Sequence, residues 1–356
     1  MFSNNKDLAD KLSGKRVLTF GELMLRLAPT NNLRIEQANN FNANYGGAEA
    51  NVAASLALQN DNASYLSVVP NNRIGQCALR DLNAWGVDTS KVIRKGDRLG
   101  VYFFEVGSSV RSNSVVYDRK YSAISMSSSS DFDWDAILAD VDIFYFSGIT
   151  PAISSDLADA CLCALKACRS KCITTVCDLN YRGKMWSPQE AQKTMKGLLK
   201  YVDIVVANDE DAPSALGIKH GSCSLSCGID EKEEYINIAR DICNEFGCKC
   251  VASVIRNISS VESSKWMSMI YTSDDDRHVF SQVHDMHVLE GVAAGDAFAA
   301  GLIHAYLHDY DMQYAADYAI AASVLKLTIH GDTNIVTEAE IAQLANNALG
   351  ATRVAR

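Results

Sequence analysis

Gly295 and Asp296 stand where a turn of small residues runs into an Ala-rich helical segment, 297–301. The first amides of a helix lack intrahelical partners and lie at its positive end, so such a turn suits an anion such as a phosphate. A carboxylate among those amides repels the anion, and its chemistry fits taking a proton from a hydroxyl that attacks the phosphate. These residues indicate phosphoryl transfer. The same pattern also fits a plain tight connection in which Asp296 only favours the helix dipole.

A second turn into a helix lies near the N-terminus, at Gly46 and Gly47. Adjacent glycines let a ligand approach the backbone closely, and a helix that opens at Ala48 presents free amides. Asn51, about one turn further along, would lie on the same side and is able to bind a hydroxyl. The turn is therefore a candidate site for a small ligand, although a simple turn–helix junction has the same pattern.

Six short apolar runs, each followed by a helical pattern, predict the strands that position these turns. They are Arg16–Glu22, Ala63–Val69, Asp142–Gly148, Ile173–Asn180, Val202–Asn208 and Cys250–Ile255. Continuous apolar strands that alternate with helices indicate an α/β fold whose parallel sheet is covered on both faces. Asp178, Asn180 and Asn208 stand at the C-terminal ends of predicted strands, which is the edge where open α/β sheets bind ligands.

Two segments, about 23–45 and 98–125, alternate apolar and polar residues in part, as in Val101–Glu105 and Ser114–Arg119. Such alternation predicts a small half-exposed sheet beside the main one. A sheet in this place would serve as a lid or as a dimerisation face. We therefore expect one domain over residues 1–350 with the lid strands inserted into it, and a homodimer through the lid sheet is an open possibility.

Composition limits the classes of function. The 356 residues are 48% hydrophobic and 21% charged, which is typical of a globular protein. A formal net charge of −10 argues against nucleic acid or an anionic membrane as the main partner. The sequence has no apolar run of about 18 residues, and its polar start lacks a signal core, so cytoplasmic residence is the expectation.

Eleven cysteines occur, and most of them fall in two groups, at 161–177 and 223–250. Neither group has the paired C-x2-C spacing of a zinc site, so reduced thiols are expected. Cys161, Cys168 and Cys172 follow helical spacing, which predicts that all three are buried as small hydrophobic residues.

The two turns together, Gly46-Gly47-x-x-x-Asn51-x-Ala53 and Gly295-Asp296-Ala297-Phe298, resemble the ribokinase-like (PfkB) carbohydrate kinases, and within them the 2-keto-3-deoxygluconate kinase group. Further phrases that carry the resemblance, in order between about residues 16 and 345, are Thr19–Leu27, Asp97–Phe103, Tyr117–Arg119, Ser147–Ala152, Asp178–Arg182 and Gly331–Asn334. The resemblance implies a ribokinase-like three-layer α/β/α core with a mostly parallel sheet and a small β-sheet lid. It also implies ATP-dependent phosphorylation of a sugar acid, with 2-keto-3-deoxygluconate converted to its 6-phosphate as the first expectation.

The resemblance implies roles for the residues at matching positions. Asp296 corresponds to the catalytic base, and the amides of Ala293, Ala294 and Gly295 correspond to the anion hole. The residues implied for the sugar acid are Gly46, Gly47, Asn51, Tyr102, Tyr117, Arg119, Arg182 and Asp332. Arginine binds a carboxylate through a planar fork and tyrosine donates a hydroxyl, which fits an acid substrate. A surface ion pair is the alternative for each arginine.

The resemblance also implies a nucleotide site and a magnesium site. Asn208, Arg256 and Gly295 match nucleotide positions, and Asp211 and Glu210 match the positions that organise Mg²⁺, largely through water. MgATP would then lie along the C-terminal edge of the sheet. An acidic strand exit such as 208–211 also fits a solvated loop.

Two positions depart from the family turn Asp-x-Val/Thr-Gly-Ala/Gly-Gly-Asp. Glu290 replaces the leading aspartate, which leaves a monovalent-cation site open to question, and Ala293 replaces the first glycine of the anion hole. If that position needs a positive φ, an alanine there costs about 1 kcal/mol or more. A weakly active or non-catalytic paralogue that binds a sugar acid is therefore one alternative. A kinase for another ketose, such as fructose or tagatose, is a second, and Arg119 and Arg182 would discriminate between the substrates.

Overall fold

Fifteen strands build three sheets in the computed structural model, which describes residues 14–208, 211–219 and 228–346. Strands β1 to β15 are, in chain order, Arg16–Phe20, Met24–Pro29, Phe41–Gly46, Asn62–Leu66, Val68–Val69, Ile93–Arg94, Gly100–Glu105, Ser114–Asp118, Ile143–Ser147, Thr174–Asp178, Ile204–Val206, Cys250–Ile258, Ser263–Thr272, Arg277–Phe280 and His284–His287. Helices α1 to α10 are Ala48–Leu58, Arg73–Ala84, Trp134–Ile137, Ile149–Ile153, Ser155–Ser170, Pro188–Leu199, Lys232–Phe246, Ala294–Leu307, Met312–Lys326 and Glu338–Ala345.

Nine strands form the central sheet, in which β14, β13, β12, β11, β10, β9, β1 and β4 follow one another and β15 pairs with β13. The pairs between β4 and β12 are parallel, and β13, β14 and β15 join antiparallel. The six strands expected from apolar runs all contribute to the parallel part. One run, Ala63–Val69, divides into β4 and β5, and β5 pairs with β6 outside the central sheet.

The central sheet separates two apolar cores, because successive side chains of a strand point to opposite faces. In β9, Phe144 and Phe146 lie in one core, and Ile143 and Tyr145 lie in the other. Helices α5, α6 and α7 pack on the first face, and α1, α2, α8 and α9 pack on the second. This arrangement confirms the expected three-layer fold with a mostly parallel sheet. Among the described helices, none combines the length and the apolar character needed to cross a membrane.

The expected small sheet is formed by β3, β2, β7 and β8, in that order. Its strands fall within residues 24–46 and 100–118, close to the segments that the alternation marked. The inner pair β2–β7 is parallel and the two outer pairs are antiparallel. Most residues of β8 are exposed, as a half-exposed sheet requires. The extent of the domain and a dimer through this sheet stay predictions.

The expected burial of three cysteines is correct for two of them. Cys161 and Cys168 are fully buried on α5, which packs against the central sheet. The prediction for Cys172 was wrong, since α5 ends at Ser170 and Cys172 lies exposed in the turn that follows, with a left-handed φ of 56°. The described cysteines are free thiols. Helical spacing alone did not show where the helix stops.

Candidate active site

A cavity of about 580 Å³ opens between the C-terminal edge of the central sheet and the small sheet. The central strands contribute Asp178 and Arg256, the small sheet contributes Tyr102 and Tyr117, and the first turns of α1 and α8 complete the wall. Parallel strands linked by helices bring strand C-termini and helix N-termini to one edge, so the two turns singled out in the sequence meet here.

Most of the residues that the sequence assigned to a site line this one cavity. They are Gly47, Asn51, Tyr102, Tyr117, Arg182, Asn208, Asp211, Arg256, Ala293, Ala294, Gly295, Asp296 and Asp332. Gly46 and Arg119 are not among the lining residues. Glu210, one of the two expected magnesium residues, lies outside the described residues.

Asp296 lies in the first turn of α8 with only 8% of its surface exposed. Its Oδ2 accepts a hydrogen bond of 2.7 Å from Asn51 Nδ2 on α1. Burial raises the pKa of Asp296 to about 7, because an ionised carboxylate loses its hydration there; the charges of Glu49 and Asp332 add to the rise, and the Asn51 hydrogen bond opposes it. A carboxylate that titrates near neutrality at a cavity wall is suited to accept a proton from a ligand.

The backbone that leads into α8 takes a left-handed turn at Ala293, where φ is 60° and ψ is 14°. No described side chain caps this end of the helix. The amides of the first turn are therefore available to an anion, at the positive end of a helix of 14 residues. Ala293, which replaces a glycine of the family turn, therefore lies at a position whose conformation favours glycine.

We expect Ala293→Gly to raise the free energy of unfolding by about 1 kcal/mol. A left-handed conformation costs a residue with a Cβ about 1–2 kcal/mol, and glycine adopts it freely, although glycine loses more backbone entropy on folding. Urea unfolding measures the change. Ala342→Gly, inside α10, is the matched control, where the same replacement should lower stability by about 0.5–1 kcal/mol. If Ala293→Gly loses as much stability as Ala342→Gly does, the backbone at residue 293 is not strained.

Gly46 and Gly47 lie where the chain leaves β3 and enters α1. A Cβ on Gly47 would stand 1.9 Å from the carbonyl oxygen of Glu22, and a Cβ on Gly46 would stand 2.7 Å from the Asp332 side chain. A side chain at either position would collide with these groups, so both positions require glycine. Gly47 lines the cavity directly, and Gly46 allows Asp332 to pack against the turn.

Asp332 belongs to a buried network of charges that was not apparent from the sequence. Arg26 Nη1 donates to Asp332 Oδ2 at 3.0 Å, and Arg26 Nη2 donates to Glu290. The Tyr102 hydroxyl donates to the other oxygen of Asp332. Arg26 is 1% exposed, so the longer side chain at Glu290 helps to neutralise a guanidinium that water hardly reaches. The available signal was an arginine in the apolar run 24–29, since a buried arginine needs carboxylate partners.

The two arginines assigned to the sugar acid lie in different surroundings. Arg119 donates to Glu22 Oε2 through both Nη2 and Nε, the latter at 2.8 Å, so the structure places it in an ion pair beside the cavity. Arg182 lines the cavity, and its charge opposes the rise in pKa that burial gives Asp178 and Asp296. Of the two guanidinium groups, that of Arg182 is therefore the one placed to meet a bound anion.

Lys184 is a cationic residue of the cavity that the sequence did not single out. It lines the cavity two residues after Arg182, and its Nζ donates to the carbonyl oxygen of Val115 at 3.2 Å. Because Val115 lies on β8, this bond joins the loop after β10 to the small sheet. The sequence signal for Lys184 was limited to its basic side chain and its place shortly after β10, a strand that ends at the ligand-binding edge of the sheet.

Asp178, Asp211 and Asp296 bring three carboxyl groups together at the edge of the central sheet. Asp211 accepts the backbone N–H of Tyr181 at 2.7 Å and that of Asn208 at 3.1 Å. Burial, and then the charges of Asp211 and Asp296, hold the pKa of Asp178 well above its usual range. Crowded carboxylates of this kind supply the oxygen ligands and the negative charge that suit a hard cation such as Mg²⁺.

Asn208 and Arg256 line the cavity from the neighbouring strands β11 and β12. The side-chain oxygen of Asn208 accepts the backbone N–H of Val254 at 3.3 Å, which holds its amide at the strand edge. The guanidinium of Arg256 lies 5.4 Å from the ring centroid of Trp266. A positive charge and an amide thus stand beside the acidic group, as a polyphosphate site would require.

The sequence model of the pfkB family carbohydrate kinases matches residues 15–339 of this chain. The chain is also 29% identical over 325 residues to a 2-dehydro-3-deoxygalactonokinase from Haloferax volcanii, and the match covers 91% of this chain and 95% of that protein. The prefixes 2-dehydro and 2-keto denote the same group, so that relative is named for a 2-keto-3-deoxy sugar acid.

Solved structures show the same likeness in three dimensions. The crystal structure of 2-dehydro-3-deoxygluconokinase from Thermotoga maritima aligns with a TM-score of 0.89 and 41% identity, over 93% of this chain and 98% of that chain. The structure of a fructokinase with bound ATP from Xylella fastidiosa aligns with a TM-score of 0.73 and 18% identity, over 94% and 99% of the two chains. The second likeness concerns the fold alone.

Proposed function

The chain belongs to the pfkB family of carbohydrate kinases, and from this premise we propose that it transfers the γ-phosphate of ATP to a 2-keto-3-deoxy sugar acid. The proposed substrate is 2-keto-3-deoxygluconate and the product is its 6-phosphate. The 41% identity to the Thermotoga maritima 2-dehydro-3-deoxygluconokinase supports this substrate. One observation carries the proposal: a buried carboxylate, Asp296, lies at the N-terminus of a helix that faces the cavity, where burial raises its pKa to about 7.

Asp296 is the proposed base. Asn51 holds one of its carboxylate oxygens at 2.7 Å, and the other is assigned to the terminal hydroxyl of the sugar acid. As that hydroxyl attacks the γ-phosphorus in line, a new O–P bond forms and the bond from the γ-phosphorus to the β–γ bridging oxygen breaks, with its electrons leaving on ADP. The hydroxyl proton passes to Asp296.

The first turn of α8 is the proposed anion hole. Its uncapped amides, near Ala294 and Gly295, lie at the positive end of the helix and are held there before any ligand binds. Donors that are already oriented stabilise the charge on the transferred phosphoryl group without further reorganisation. The strained turn at Ala293 is the observation that favours the second candidate, a weakly active or non-catalytic paralogue that binds a sugar acid.

The nucleotide phosphates are assigned to the strand edge lined by Asn208 and Arg256. Asp211, together with Asp178, which the sequence had marked only as a strand end, would hold Mg²⁺, directly or through water. Bound there, the metal would neutralise phosphate charge. The shared fold of the Xylella fastidiosa fructokinase with bound ATP is compatible with this assignment.

The carboxylate of the sugar acid is assigned to Arg182, and Tyr117 on the small sheet lines the same cavity. Tyr102 lies opposite Tyr117 in the β7–β8 ladder, with ring centroids 5.9 Å apart, but its hydroxyl is engaged by Asp332. Arg119 is assigned a positioning role, because its guanidinium pairs with Glu22. The charge that distinguishes an acid from a neutral ketose then comes chiefly from Arg182.

We expect Arg182→Ala to lower kcat/KM for 2-keto-3-deoxygluconate about 10–100-fold, mainly through KM. A hydrogen bond to a charged group contributes about 1.5–3 kcal/mol. Because loss of this charge also affects Asp296, turnover of fructose, where detectable, serves as the internal reference and should change far less. Arg182→Lys should recover only part of the loss, since lysine lacks the planar fork. Equal losses for the acid and the neutral sugar would refute the carboxylate assignment.

The proposed activity is tested by ADP release over a panel of 2-keto-3-deoxygluconate, 2-keto-3-deoxygalactonate, fructose and tagatose. The two acids differ only in configuration at C4. The ratio of their kcat/KM values therefore reports how strongly the cavity discriminates the orientation of one hydroxyl. We expect an acid to be preferred and the phosphate to appear on its terminal hydroxyl by NMR. If the parent protein releases ADP no faster than Asp296→Asn does with any of these substrates, a non-catalytic paralogue becomes the better explanation. A preference for fructose or tagatose would favour the alternative that the protein is a ketose kinase.

A further inference from the structure

Asp61, His304 and His308 form a cluster that lies outside the lining of the cavity, and we propose that it binds a divalent transition metal of the zinc class. The atoms that would bind the metal, one from each side chain, lie within 4.8 Å of one another. Asp61 follows α1, His304 lies in the last turn of α8, and His308 caps the same helix. The carbohydrate kinase activity proposed above makes no use of these three side chains.

The geometry of the cluster is convergent. His304 Nδ1 lies 2.8 Å from Asp61 Oδ2, and His308 Nε2 lies 3.0 Å from Asp61 Oδ1. The histidines are four residues apart, so both project from one side of the helix, and their rings stack with centroids 4.1 Å apart. Two imidazole nitrogens and one carboxylate therefore face a common point, and this donor set suits zinc and its neighbours in the first transition row.

The surroundings of the cluster resemble those of a metal-binding site. The side chain of His304 is fully buried and that of Asp61 is 5% exposed, whereas that of His308 is 21% exposed. The second ring nitrogen of His304 lies 3.4 Å from the Tyr310 hydroxyl, a partner that would fix the ring orientation and tautomer. Three protein ligands with one solvent-facing side leave a fourth position for water.

The alternative is that Asp61 simply accepts hydrogen bonds from both imidazoles. A metal would have to displace the protons in these bonds, so its affinity should fall as pH is lowered. Besides Asp61, the charges that act on His308 are those of Glu338 on α10 and Lys15. They are opposite in sign, so the surroundings of the cluster neither strongly attract nor strongly repel a cation.

A metal here would join the loop after α1 to the C-terminal end of α8. His304 lies eight residues beyond Asp296 on that helix, which is about 12 Å along its axis. The site is therefore separate from the acidic edge assigned to Mg²⁺. Because a metal that binds only the folded protein stabilises it, bound metal should raise the unfolding temperature.

The test begins with protein stripped by EDTA and dialysed. Calorimetric titration with Zn²⁺ is expected to show one tight site per chain, and Co²⁺ should give visible absorption without the intense sulfur-to-metal charge-transfer band of a thiolate site. His308→Ala should weaken Zn²⁺ binding at least about tenfold and remove the thermal shift. His278→Ala, an exposed histidine on β14, is the matched control and should bind as the parent protein does.

Should His308→Ala fold poorly, Asp61→Asn replaces one ligand with a group of the same shape and should also weaken Zn²⁺ binding. The proposal is overturned if the parent protein shows no saturable site. It is equally overturned if Zn²⁺ binds with unchanged affinity in both variants, or if Co²⁺ shows thiolate coordination, because the metal would then sit on cysteines. None of these outcomes depends on kinase activity.

Discussion

Replacing Asp296 with asparagine is expected to lower kcat for the sugar acid by about 10³-fold, with little change in KM. A positioned general base contributes roughly 10²–10⁴-fold, and asparagine keeps the shape of the side chain without its ability to take a proton. The hydrogen bond with Asn51 survives, because the remaining side-chain oxygen of residue 296 still accepts it. Steady-state ADP release with 2-keto-3-deoxygluconate measures the loss.

Asp274→Asn, an exposed carboxylate in the turn between β13 and β14, is the matched control and should leave kcat unchanged. The folded state of Asp296→Asn should be at least as stable as that of the parent, since burial disfavours the ionised carboxylate that it removes. A variant that is folded and retains more than about a tenth of the parent kcat would rule out Asp296 as the base.

The pH profile offers an independent check on the same residue. Burial places the pKa of Asp296 at about 7, and only its ionised form accepts a proton. The value of kcat/KM should therefore be maximal above that pH and fall about tenfold per pH unit below it, because this ratio reports the free enzyme. In Asp296→Asn the acid limb should disappear. A parent profile that is flat between pH 5 and 8 would contradict the assignment.

Replacing Arg26 with methionine is expected to lower the free energy of unfolding by about 3–5 kcal/mol. The change removes the cation between Glu290 and Asp332, whose side chains are 4% and 3% exposed, and leaves two carboxylates without it. Breaking a buried pair on one side costs this much because the charge that remains has lost its hydration and no longer has its opposite charge. Urea unfolding followed by circular dichroism gives the size of the loss.

Two comparisons separate this charge effect from a loss of packing. Adding Glu290→Gln and Asp332→Asn to Arg26→Met removes the stranded charges, so the triple variant should be more stable than the single variant. Arg277→Met breaks an exposed pair with Asp275, in which the arginine side chain is 64% exposed, and should have no measurable effect. If the triple variant is no more stable than Arg26→Met, the loss comes from packing and not from unpaired charge.

The turn chemistry could be read from the sequence because it depends on neighbours in the chain. Gly47 before α1, and Gly295 and Asp296 at the start of α8, are local patterns, and the structure places all three at one cavity. The apolar runs that became the parallel strands are local patterns too, and they located the edge at which Asp178 and Asn208 stand. The topology of an α/β sheet then predicted that residues at this edge would lie close together.

Other features depend on contacts between residues far apart in the chain. Arg26 meets Asp332 across 306 positions, and Asp61 meets His304 across 243, so no local pattern marks either pair. Arg119 stands within a family phrase, yet whether it binds a ligand or pairs with Glu22 was decided by packing.

The sequence by itself determined the fold class, the family resemblance and the two glycine turns, because periodicity and turn chemistry are properties of short segments. Only the tertiary structure decided that Ala293 takes a left-handed conformation, that Glu290 neutralises Arg26, and that burial brings the pKa of Asp296 to about 7. Backbone angle, charge pairing and desolvation all depend on which groups surround a residue in space. The turn at Gly295 and Asp296 was visible in the sequence, and the pKa of its carboxylate was a property of the folded protein.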